Sequence, residues 1–212
     1  MFESSTDEAV GTKLVAGLKQ SPVLTSLRVD AVKLRLAKFP ASVQQQAEAL
    51  YAAINIEAAK QKERLDEMVA HVGEGDIRRG QLVFANSKAA CVACHAIGYK
   101  GGNIGPDLSR VGKIRSERDL LEALLFPSVS FVRSYEPVLI VTHAGKQVNG
   151  LIRRETPDEI VLATGAKDEA RVARADIEEI LPGTVSVMPA GLETQLTREQ
   201  LLDLIAFLKS RQ

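Results

Sequence analysis

"CVACHAIGYKGGNIGPDL", residues 91–108, holds both cysteines of the chain and one of its three histidines within its first five positions. Cys91 and Cys94 are separated by two residues, and His95 follows directly. Side chains so scarce in a chain of 212 residues, and placed so close together, mark the stretch around which the rest is organised.

Three chemistries compete for such a group. A redox disulfide uses Cys-x-x-Cys, but between a strand and a helix in a βαβ unit. Here the segment before Cys91 has a helical pattern and no βαβ unit is visible. A zinc site needs four ligands. Only His71, His143 or a carboxylate is left to complete a set with Cys91, Cys94 and His95. The third reading is Cys-x-x-Cys-His as the attachment signature of c-type haem. Cys91 and Cys94 would each form a thioether to a vinyl group, and His95 would be the axial ligand beneath the iron.

Context favours the third reading. "GPDL" at 105–108 places Pro106 where its carbonyl can take the Nδ1 proton of His95, fixing the tautomer and raising the basicity of the ring. "SVMPAGL" at 186–192 sets Met188 before a proline, in an extended loop ahead of the last helix. Core filling is the ordinary role of a lone methionine. Met1 is terminal, however, and Met68 lies in an apolar helical stripe, so Met188 is the candidate sixth ligand. His143 ends an expected strand, and His71 sits at a helix end. Gly80 and Phe84 lie one turn apart before the motif, as do Leu204 and Phe207 in the last helix. In a c-type cytochrome fold the first and last helices cross at such positions, with the glycine permitting close approach.

Outward from the motif, residues 6–72 read as helical. Pro22 stands at a first-turn position, and Leu24, Leu27, Ala31 and Leu34 share a face. After Pro40 the stripe Val43, Ala47, Leu50, Ile54, Ala58, Leu65, Met68, Val72 marks one amphipathic helix, interrupted at Gln61. Gly73 and Gly75 break the pattern at a domain boundary, and Asp76 caps a short helix reaching about Ser87. Ser116 caps another helix, "SERDLLEALLF", which Pro127 ends. Residues 135–181 change period. Strands are expected at 136–143, 147–154, 159–163 and 169–174, with a fifth ending near Leu181, joined by turns such as "HAGKQ" and "ETPDE". Thr197 and Gln200 then form a capping box for the final helix.

Composition removes several functions. Lys plus Arg and Asp plus Glu number 27 each, so no basic footprint offers itself to nucleic acid. Aromatic residues make up only 4%, with no tryptophan, which leaves few platforms for stacking bases. No apolar run reaches the roughly 18 residues of a membrane span. The opening "MFESSTDEAV" lacks the charged and apolar regions of an export signal.

Residues from about 76 to 212 resemble the haem-binding domain of the Planctomycetes and Verrucomicrobia (Pirellula/Verrucomicrobium) type, a c-type cytochrome. The likeness rests on "RGQLVF", "CVACHAIG", "GGNIGPDLSRVG", "LLEALLFPSVS", "YEPVLIVTHAGKQVNGLI" and "SVMPAGLETQLTREQLLDLIAFL". It implies a β-rich insertion between the haem loop and the Met188 loop, and with the patterns above the expected chain is mainly α: a class I-like cytochrome c fold at 74–134 and 182–212, interrupted at 135–181 by a small antiparallel β barrel or sandwich. A helical segment at 1–73 precedes it. The resemblance also implies a piece of a larger exported protein, hence a periplasmic or otherwise extracytoplasmic setting.

The expected cofactor is one covalent haem c, held by Cys91, Cys94, His95 and Met188, with Pro106, Phe84, Ile104, Leu108 and Leu204 around it. Core packing is the alternative role for the apolar members. Arg110, Lys113, Arg115, Arg133 and Tyr135 form the group from which propionate partners would come. Iron gripped by His95 and Met188 has no vacant position, so one-electron transfer is expected, with a redox partner protein or a fused upstream dehydrogenase supplying electrons. The competing readings are a haem enzyme or gas- or peroxide-binding protein with an open or displaceable sixth site, and an interaction module in which haem is structural.

Overall fold

The computed structural model describes residues 6–21, 24, 27, 29–85 and 90–212. It divides into two compact units, Met1–Asp66 and Glu67–Gln212. About half the chain is helical.

The first unit contains α1 (Glu8–Lys19), α2 (Val29–Leu36) and most of α3 (Ala41–Val69). Asp7 caps α1 by accepting the Val10 amide proton, satisfying one of the donors that a helix start leaves open. The core joins Val15, Val32, Leu36 and Phe39 to the α3 stripe Val43, Ala47, Leu50 and Ile54. Pro22 lies outside the described residues. The expected face of α2 is corrected: Leu34 is 78% exposed and Ala31 is exposed, while Val32 and Leu36 are buried. Both patterns have helical spacing, and the pair that continues through Phe39 into α3 is the one the core takes. On α3 the stripe lapses at Ala58 as well as Gln61 and resumes at Leu65.

The second unit begins its regular structure with α4 (Ile77–Ala85), whose start Asp76 caps through the Arg79 amide. Ser87 falls outside the described residues. There follow the single turn α5 (Cys91–Cys94), the two-residue strands β1 (Ala96–Ile97) and β2 (Lys100–Gly101), the short α6 (Val111–Ile114) and α7 (Glu117–Leu125). The Ser116–Asp119 capping box opens α7 as expected. Next come β3 (Val138–Thr142), β4 (Gln147–Glu155), β5 (Glu159–Ala163), β6 (Glu169–Ala173) and β7 (Ile177–Pro182). The chain ends in α8 (Arg198–Lys209), opened by the Thr197–Gln200 capping box.

The β region is a single open sheet of order β6-β5-β4-β3-β7, antiparallel at each pairing. The expected barrel or sandwich is therefore corrected. A turn at Arg174–Asp176 leads from β6 to β7, but β7 pairs with β3 at the opposite edge. The two edge strands β6 and β7 do not meet, and closure requires that they do. One face carries Ile140, Val148, Ile160, Leu162 and Val172 as its own small core. By strand alternation Val161 and Ala163 lie on the other face, and they too are buried. The central strand β4 is the longest.

The helices of this unit gather on α8, above all α4. A Cβ on Gly80 would stand 1.9 Å from the Asp203 carbonyl oxygen and 2.7 Å from Phe207 Cβ, so the helices approach at backbone distance. Phe84 packs on Phe207 with ring centroids 5.8 Å apart. Asp203 is 2% exposed and fully engaged: Arg79 donates to both carboxylate oxygens at 2.7 and 2.9 Å, and the Asp76 amide donates at 2.6 Å. At the far end Lys209 Nζ donates to the carbonyls of Gly112 and Arg115, tying α8 to α6. The Arg79 guanidinium hydrogen-bonded to it holds the Asp203 carboxyl below its ordinary 3.8, with the Asp76 amide helping.

Two expectations follow. Gly80→Ala forces the helices apart and lowers stability by about 1–3 kcal/mol, read as a lower urea midpoint with unchanged slope. Asp203→Asn costs about 2 kcal/mol near neutral pH. Because the native carboxyl binds its proton less readily than the unfolded one, its contribution is complete above about pH 4 and is lost as pH falls through the lowered native value. The stability gap between wild type and Asp203→Asn therefore narrows in acid; a gap that widened below pH 4 would contradict this account.

Candidate haem site

Cys91 and Cys94 begin and end the one turn of α5, so both thiols lie on the same side. Ala90, in the left-handed region at φ 51°, starts that turn, and the His95 amide closes it on the Cys91 carbonyl at 2.9 Å. His95 itself is extended, at φ −109° and ψ 137°.

The loop from 98 to 108 then folds back over the motif. The Gly102 amide donates to Val92, that of Gly105 to Cys94, and that of Leu108 to Ala96, at 2.8–2.9 Å. This return course places the Pro106 carbonyl 2.8 Å from His95 Nδ1. A carbonyl can only accept, so Nδ1 carries the proton and Nε2 presents the lone pair. Burial lowers the pKa of the imidazole, against the opposing pull of the Pro106 carbonyl, so the ring is neutral at neutral pH. Burial also pushes the Cys91 thiol up to about 11, with the neighbouring Cys94 adding to it, and raises Cys94 in the same direction. A Cβ on Gly105 would lie 2.4 Å from His95 Cε1, so the ring rests directly on this backbone.

A cavity of about 320 Å³ opens beside these groups. Of the residues expected to hold a cofactor, it brings together Cys94, His95, Ile104, Pro106, Leu108 and Met188. Met188 arrives on the loop after β7, its amide donating to Ser186 Oγ at 3.1 Å. Cys91, Phe84 and Leu204 do not line it. Phe84 and Leu204 are buried, Phe84 against the α8 ring of Phe207. From the expected polar group only Arg115 and Tyr135 reach the cavity; Arg110, Lys113 and Arg133 do not. Residues that the motif reading passed over complete the wall: Val111 and Ile114 of α6, Leu120 and Ala123 of α7, and Leu151 of β4. The i,i+3 spacing of Leu120 and Ala123 was the available signal for α7. Among the described residues no three His, Cys, Asp or Glu side chains gather into a metal cage, so no zinc ligand set is assembled there.

A cytochrome c family model matches residues 77–128, from the first residue of α4 to just beyond α7. That stretch is similar to c-type cytochromes, and the match supports covalently bound haem c and haem-based electron transfer. It contains Cys91, Cys94 and His95 and stops before the sheet, Met188 and α8. No curated protein matches the chain. Among the described residues no helix is long and apolar enough to cross a membrane.

The seat of the histidine gives a sharp expectation. Gly105→Ala has no room for its methyl group and displaces the ring, so mature haem protein is recovered in at least tenfold lower yield than wild type. Pyridine haemochrome content per chain, with circular dichroism to check the fold, measures it.

Proposed function

We propose that the second unit is a single-haem c-type cytochrome of the Planctomycetes and Verrucomicrobia type that passes one electron at a time, with His95 and Met188 as its axial ligands. The supporting observation is that one cavity is lined by Cys94, His95 and Met188, donors drawn from opposite sides of a five-stranded insertion. The residues present fit the group. A half-buried, neutral imidazole offers Nε2, Cys91 and Cys94 stand three residues apart on the turn before it with Cys94 at the cavity, and a thioether shares the cavity. At about 320 Å³ the cavity falls within the roughly 300–1,000 Å³ usual for cofactor pockets, at the small end.

Haem with both axial positions filled supplies a one-electron couple with no open position for a substrate. The chain does the rest. Cys91 and Cys94 hold the ring covalently, and the Pro106 carbonyl keeps His95 in the ligating tautomer. The thioether of Met188 is a soft, weak donor, which favours the reduced iron and raises the potential. Ile104, Leu108 and Val111 would give the ring an apolar wall, and Arg115 and Tyr135, which also line the cavity, would be its propionate partners. An extracytoplasmic setting and an electron donor that is a partner or fused dehydrogenase follow from the same resemblance. Charge of zero overall gives no long-range steering, so a tethered or locally complementary donor suits this domain.

Protein matured in a host that attaches haem c should be low-spin in both oxidation states. Met188→Ala is expected to lower the potential by on the order of 0.1 V, within the span of about 0.8 V that axial ligands command, and to make the ferric form high-spin. An unchanged spectrum and potential would remove Met188 as a ligand. A high-spin wild type that takes up cyanide at once would favour an open site and catalysis.

A further inference from the structure

The sheet inserted between the two halves of the haem site touches both of them through its central strand. On β4, Asn149 Nδ2 donates to the Val185 carbonyl at 2.9 Å, on the loop that brings in Met188. Four residues along the same strand, Arg153 donates twice to Asn103, from Nη1 to the carbonyl at 3.1 Å and from Nη2 to Oδ1 at 2.9 Å. Asn103 lies between Gly102 and Gly105, whose amides fasten the return loop to Val92 and Cys94 under the His95 ring. Between these two anchors Leu151 lines the cavity itself.

Strand geometry explains the spacing. Alternation puts Val148 and Gly150 on the face of the small sheet core, and Asn149 and Leu151 on the opposite face. Simple alternation would serve Arg153 too, but the ladder with β5 shifts register between Ile152 and Arg154, leaving Arg153 as the extra residue. A bulge bends its strand and re-aims a side chain, and here the side chain reaches the haem loop. Rigid elements hold a site more firmly than loops do. Both ligand-bearing segments are loops, and β4 is paired on both sides.

We propose that β4 is a brace that joins the His95 wall of the cavity to the Met188 wall, with Asn149 and Arg153 as positioning residues for the two axial ligands. The inference rests on the His/Met reading and gives the insertion a task within it. If both segments hold the group, a common strand between them would limit their relative movement and so keep reorganisation small. Neither side chain lines the cavity; each acts through a loop.

The test uses haem-loaded protein and two independent readouts. By amide hydrogen exchange, Arg153→Ala should quicken the Gly105 amide about fivefold, as its two exposed hydrogen bonds to Asn103 are lost. It should also quicken the Met188 amide at least twofold, although Arg153 does not touch that loop. Asn149→Ala should show the reverse pattern, and Arg153→Lys, which keeps a donor, should recover much of the wild-type protection. Exogenous imidazole, which must displace Met188, should bind about fivefold more tightly to either alanine variant. The brace is overturned if each substitution affects only its own wall, or if amides within α8 quicken equally, since that is general destabilisation. A wild type that is high-spin would defeat the His/Met assignment while leaving the exchange result to decide the brace.

Discussion

The approach of α4 to α8 at Gly80 is the constraint on which the second unit depends. The two helices come from opposite ends of this unit, and everything chemical is strung between them. Only a residue without a side chain lets the backbone of one helix reach the Asp203 carbonyl of the other. Once that contact forms, the motif that follows α4 and the loop before α8 are delivered to the same cavity. The buried Asp203 carboxylate makes the crossing specific as well as close. Its oxygens are matched to the Arg79 guanidinium and the Asp76 amide, so a slipped register would leave a charge buried and unpaired. Apolar packing along α8 supplies the bulk of the stabilisation, with Leu201, Leu202, Leu204, Ile205, Phe207 and Leu208 all buried. The polar lock decides where that packing comes to rest.

His95 shows the same division of labour at the scale of one ring. Burial alone would make a neutral imidazole, with either nitrogen protonated. The Pro106 carbonyl at Nδ1 chooses between them, and the flat backbone of Gly105 sets the plane. Neither neighbour contributes a side chain to this. A proline cannot donate an amide proton, and a glycine has no Cβ, so the segment offers the ring one acceptor and one smooth surface. The short sequence "GPDL" is thus a description of a seat.

Legibility followed range. The Cys91–His95 grouping, the caps at Asp76, Ser116 and Thr197, and the five strands are written in neighbouring residues, and the structure has them close to where the patterns placed them. What misled were choices among long-range partners. Leu34 and Leu36 both sit at helical spacing, and only the position of Phe39 and α3 decides which is buried. Phe84 and Leu204 were readable as apolar and inward, but periodicity does not say whether the inside is a cavity wall or a neighbouring helix. Five short strands suit a barrel as well as an open sheet; the difference lies in whether β6 finds β7, which no local pattern encodes.

The place of the sheet in the chain follows from these same constraints. On the proposed reading the insertion separates two ligands of one metal, and a floppy loop there would loosen their spacing, because each added residue widens the range of separations its ends can adopt. An insertion that returns its ends to a fixed distance avoids this. Here β3 and β7 lie side by side, with Val138 opposite Pro182, and the Gly183 amide donates to the Pro137 carbonyl at 2.8 Å. The excursion therefore starts and finishes at one point, and the chain leaves it as if the intervening residues were a single tight turn. Closing the base restores the spacing between the two flanking halves of this unit but leaves the loops that carry His95 and Met188 free to move about that base. In the proposed brace, contacts further along β4, at Asn149 on one side and Arg153 on the other, remove that freedom, from a strand whose own register is fixed by partners on both edges.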